Sequence, residues 1–123
     1  MPGPDDNDLL AFAASSFSSV WALELLLVLK SQRRSWPQAE LVTTLRASEL
    51  VVAKALDSLL AAGLVSIDDD GIAYVPVNDE VASKVDSIEK LYAARPNTVR
   101  RAIVVATQDG ASFFANAFKL RKD

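Results

Sequence analysis

A chain of 123 residues, half of them hydrophobic and 24% charged, with a net charge of −3, has the length and composition of one globular domain. It contains neither cysteine nor histidine, which excludes disulfides, thiolate metal sites, and the commonest general base and metal ligand. Any catalysis would rest on carboxylates, lysine, tyrosine or hydroxyls, so the expectation is no enzyme, no metal and no cofactor.

Residues 1 to 14 read as an acidic leader with a short helix: Asp8 could cap it, and Leu9, Leu10 and Phe12 follow. Asp5, Asp6 and Asp8 are the opposite of a signal peptide's basic start. The longest apolar run, Val20 to Leu29, is interrupted by Glu24 and falls short of the roughly 20 residues a bilayer requires. A cytoplasmic, membrane-free protein is expected.

From about Phe17 to Gln32 the pattern predicts a helix that is apolar nearly all round, with the serines at 15, 16, 18 and 19 supplying caps. Such a helix must be covered on several sides, by C-terminal helices or by a second subunit. Ser35-Trp36-Pro37-Gln38 has the form of a capping box with Ser35 at the N-cap. A short helix follows, with Leu41, Val42 and Leu45 on one face. Ser48 is expected to cap a third helix whose inward face is Val52, Ala55, Leu56 and Leu59, and Gly63 ends it.

Leu64 to Ile67 and Ile72 to Val77 read as two strands, with Asp70-Gly71 as the hairpin turn. Asn78 caps a helix striped by Val81, Val85, Ile88 and Tyr92 that Pro96 ends. Two further helical stretches are predicted, at about Thr98 to Thr107 and Ala111 to Leu120. Trp21 and Trp36 read as core or staple residues, and Phe113, Phe114 and Phe118 as core or dimer contacts.

The segment Glu40-Leu-Val-Thr-Thr-Leu-Arg-Ala-Ser48, followed by Val52, Lys54-Ala55-Leu56, Leu59 and Ala62-Gly63-Leu64-Val65, resembles winged helix-turn-helix regulators, the MarR-like and ArsR-like families among them. The resemblance covers about residues 17 to 77. It implies a mainly α, α+β fold: a winged helix-turn-helix core over 15–77, with a two-stranded hairpin wing, and a C-terminal helical extension over 78–123 in the same domain. It also implies a bacterial, dimeric transcriptional regulator whose third helix enters the major groove of DNA. The positions that would then touch DNA or a partner are Arg33, Arg34, Arg46, Ser48, Leu50, Val51, Lys54 and Ser58. Arg95, Arg100 and Arg101 form a second possible anion- or partner-binding cluster.

Charge and polarity pull against strong DNA binding. Between Arg33 and Val77 there are four basic residues and six acidic ones, whereas a tight DNA binder neutralises about 6 to 10 phosphates. Leu50 and Val51 cannot hydrogen-bond a base edge. The hairpin tip, Asp68-Asp69-Asp70, would be repelled by DNA. The triplet lacks the alternating acids of a calcium loop, because Ile72 takes a ligand's place. Two functions follow from the sequence: a regulator with weak DNA binding, or a module that holds another protein on the apolar outer face of the third helix. The apolar surplus on the first and the C-terminal helices predicts a homodimer in either case.

Overall fold

The computed structural model describes residues 6–106. Six described helices and one antiparallel hairpin make it a mainly helical α+β structure. The order is α1 (Asp6–Ser16), α2 (Val20–Ser31), α3 (Gln38–Leu45), α4 (Glu49–Ala61), β1 (Val65–Asp68), β2 (Gly71–Tyr74), α5 (Asp79–Ala94) and a helix over 96–106, here α6. The leader residues 1–5, the predicted helix Ala111–Leu120 and the three phenylalanines within it lie outside the described residues. No single described helix is long and apolar enough to cross a membrane.

Side-chain caps place three of the six described helices. The Ser19 hydroxyl accepts from the Ala22 N–H, so α2 begins at Val20, three residues later than expected. Phe17 is left in the bend between α1 and α2, where it is buried and meets Phe12 edge to face. Asp8 lies inside the first turn of α1, which starts at Asp6, and so does not cap it. Ser48 caps α4 through the Val51 N–H, and Asn78 caps α5 through the Val81 N–H. Pro96 both follows the end of α5 and opens α6, a first-turn position that suits its missing N–H.

The predicted capping box at Ser35 does not form. Trp36 instead pairs with Ile72, its N–H donating at 2.7 Å and its carbonyl accepting at 2.8 Å. That pairing keeps the chain extended into Pro37, which becomes the N-cap of α3 without a side-chain bond. The hairpin turn also differs from expectation. Asp68 pairs with Gly71, so the loop is Asp69-Asp70, and the Asp68 carboxylate closes it by accepting from the Asp70 and Gly71 N–H groups. Gly71 serves the Trp36 pairing instead: its φ is +132°, and a Cβ there would stand 2.4 Å from the Trp36 carbonyl oxygen.

One buried cluster runs from Leu9 through Ile103. Ala22, Leu23, Leu25, Leu26 and Leu29 of α2 are all fully buried within a single chain. That cover comes from the same chain, chiefly from α4, β2 and α3, with α5 reaching α2 through polar side chains. Trp21 departs from its predicted core role, being 42% exposed, whereas Trp36 is buried.

Polar ties between α2 and α5 have a pH consequence. Lys30 Nζ lies 3.0 Å from Asp86 and donates to Glu89 at 2.6 Å, and the Glu89 bond foremost raises its pKa against the opposing effect of burial. Burial raises the Tyr74 and Tyr92 phenols, Tyr92 being pushed further by donating to Glu24. A group whose folded pKa lies above its unfolded value contributes stability below the unfolded value and loses it as pH rises through the folded one. Urea midpoints should therefore fall above about pH 10, the unfolded range of these groups, and Tyr74→Phe with Tyr92→Phe should flatten the decline. A midpoint that holds or rises between pH 9 and pH 11.5 would contradict this assignment.

Candidate interaction surface

Two helices and a left-handed turn form the surface. Arg46 ends α3 with φ 55° and ψ 38°, the only non-glycine residue with positive φ among the described residues. Its N–H donates to the Thr43 carbonyl and the Ala47 N–H donates to the Val42 carbonyl, which turns the chain into α4. An arginine in this conformation costs on the order of 1 kcal/mol relative to glycine, yet its side chain is left exposed.

The face of α4 follows the predicted register. Val52, Ala55, Leu56 and Leu59 are buried; Leu50, Lys54 and Asp57 are exposed, and Val51 and Ala53 are half-buried. Leu50 is 63% exposed, the second most open large apolar side chain among the described residues, after Val77. Neither Arg46 nor Lys54 has an ion-pair partner among the described residues.

Several predicted contact residues are already engaged. The Ser48 hydroxyl is committed to its cap. Ser58 donates to the Ser16 carbonyl and accepts from the Ser18 N–H, both at 3.1 Å, which ties α4 to the bend between α1 and α2. Arg34 lies over the Trp36 ring at 3.8 Å, pairs with Glu40, and donates to the Ser35 carbonyl at 3.1 Å. Arg33 stacks on Tyr74 at 4.7 Å. The free positive charge beside α4 is reduced to Arg46 and Lys54, while Asp69 and Asp70 stand exposed at the hairpin tip.

The three C-terminal arginines do not share one site. Arg95 is the C-cap residue of α5. Arg100 donates to the Tyr92 oxygen at 3.1 Å, and the Tyr92 hydroxyl donates to Glu24 at 2.6 Å. Arg101 lines a different depression, an apolar one of about 420 Å³, with Leu10, Ala102 and Val105. The sequence reading missed the cleft between α2 and α3, about 360 Å³ in volume and lined by Val20, Trp21, Glu24, Thr44 and Leu45. Glu24, the single charge inside an otherwise apolar run, was the available hint. No protein-family model matches this chain, and neither a curated protein nor a solved structure is detectably similar to it.

Proposed function

We propose that this chain is a winged-helix regulatory module whose α4 face binds another protein. The observation that carries the reading is Leu50, 63% exposed at the start of α4 beside half-buried Val51, on the face that DNA-reading winged-helix proteins fill with polar groups. An apolar, uncharged centre is what protein interfaces place in their buried core. The acidic tip Asp69-Asp70 and the Arg34–Glu40 pair favour the same partner class, since both lower the positive potential that DNA requires. Comparing Leu50→Ser and Val51→Ser with Lys54→Ala for retention of a bound partner tests the proposal.

A second reading is the regulator with weak DNA binding, and one observation favours it. Arg46 is held in a left-handed conformation that glycine would adopt more cheaply, and its side chain is exposed just before α4, which carries exposed Lys54. A residue kept in a costly conformation is a sign of function.

Homodimer formation belongs to the same proposal, on narrower ground than the sequence suggested. It rests on Val104 and Val105, each 43% exposed, and on the apolar depression that α6 forms with Leu10. Light scattering at high micromolar concentration should give twice the 13.3 kDa chain mass. A monomer there would remove the dimer and leave the α4 reading untouched.

A further inference from the structure

Glu24 places a carboxylate in the midst of the most apolar helix of the chain, between Leu23 and Leu25, both fully buried. Its own side chain is half-buried, and one oxygen accepts from the Tyr92 hydroxyl at 2.6 Å. Tyr92 is a neutral partner, and Arg100 stops at the Tyr92 oxygen. Among the described residues no cation lies within ion-pair distance of Glu24. A carboxylate drawn out of water is costly unless a positive charge answers it.

The cleft that Glu24 lines supplies the rest of a cation site. Val20 and Leu45 give it apolar walls, Thr44 a hydroxyl, and Trp21 an indole that is 42% exposed. Its volume of about 360 Å³ falls in the range of small-ligand pockets. An indole face attracts a cation electrostatically, and a carboxylate accepts charge-assisted hydrogen bonds from an ammonium. We infer that the cleft between α2 and α3 is a binding site for a small organic ammonium ion with an apolar body. Glu24 is its counter-ion, Trp21 covers the charged nitrogen, and Val20 and Leu45 hold the body. Tyr92 donates to one carboxylate oxygen and Arg100 donates in turn to the Tyr92 oxygen, so the two position the carboxylate. The site is separate from the α4 face, so either can fail without the other.

The full chain can be titrated with 2-phenylethylamine at pH 7, with 2-phenylethanol as the uncharged probe of the same size, while tryptophan emission is followed. Trp36, the other of the two tryptophans, is buried, so the change reports Trp21. The amine should saturate with a Kd of about 1 mM or tighter, and the alcohol should bind about tenfold more weakly. Glu24→Gln keeps an acceptor for Tyr92 while removing the charge, and should make the two probes equal. Calorimetry on Trp21→Ala should show the amine weakened by about tenfold. Absence of saturation up to about 10 mM amine, equal binding of amine and alcohol by the wild-type chain, or an unchanged preference in Glu24→Gln would each overturn the assignment.

Discussion

Gly71→Ala should remove a large part of the stability of this fold, on the order of 3 kcal/mol or more. Two independent costs meet at this position. The φ of +132° is one that side-chain-bearing residues rarely adopt, and the new Cβ would lie 2.4 Å from the Trp36 carbonyl oxygen. That oxygen is backbone, held by the Ile72 N–H at 2.8 Å, so it cannot swing aside. Relief would require breaking the Trp36–Ile72 pairing, which would free the loop between α2 and α3 and expose the buried Trp36. Domains of this size have only about 5–15 kcal/mol in total. Gly63→Ala supplies the calibration. Its φ of +74° is also left-handed, but the added Cβ would stand 3.2 Å from the Val77 Cβ, a milder approach than the one at Gly71. The cost there should be about 1 kcal/mol. Urea unfolding of both variants decides the matter. Equal losses would show that the close approach to Trp36 does not constrain the fold.

Under the proposal that α4 binds a protein, Leu50→Ser and Val51→Ser should weaken that binding while leaving the fold intact. Burying exposed Leu50 in an interface contributes on the order of 1.5 to 3 kcal/mol, so Leu50→Ser should weaken binding by about tenfold to a hundredfold. Val51→Ser should weaken binding by less, because Val51 is half-buried already. Lys54→Ala should change it by less than about threefold, because an exposed rim charge contributes little. A DNA partner inverts the ranking: Lys54→Ala and Arg46→Ala would each weaken binding to all sequences alike, and each would lower the salt slope by about one unit. The circular dichroism melt is the internal control. Leu50 is 63% exposed, so its loss should move the midpoint little, and unfolding of Leu50→Ser would mean that the α4 register is misplaced.

Local pattern made the helices legible. Spacings of three and four picked out Val52, Ala55, Leu56 and Leu59 as the inward face of α4, and all four are buried. Ser48 and Asn78 were readable as caps because a cap oxygen and the N–H that donates to it lie three residues apart. What could not be read is set by contacts far apart in the chain. Ser35-Trp36-Pro37-Gln38 carries the local form of a capping box, yet Ile72 captures Trp36 across the hairpin. Ser58 sits in register to face outward, but its hydroxyl is taken by the backbone of Ser16 and Ser18 some forty residues earlier. Arg34 stands in sequence where a phosphate contact is expected, but Glu40 and the Trp36 ring hold it. The same limit hid the α2–α3 cleft, because nothing in the sequence brings Thr44 and Leu45 beside Trp21. Periodicity therefore identified the core side of each element, while the state of each exposed polar group depended on tertiary partners.

The claim that α4 serves a protein and not DNA is tested most directly by binding of the wild-type chain to a fluorescently labelled random-sequence duplex, measured by anisotropy at about 50 mM salt and again at 200 mM. With Arg34 paired to Glu40 and the hairpin tip acidic, the free cations near α4 are Arg46 and Lys54. Two phosphate contacts give a salt slope near −2 at most and affinity no better than ordinary non-specific binding, about 10⁻⁴ M or weaker. A change in anisotropy that stays short of half-saturation at about 50 μM protein and the lower salt is the expected result. Binding in the low micromolar range that weakens by a hundredfold or more at the higher salt, and that Lys54→Ala reduces, would contradict the account and return α4 to the major groove.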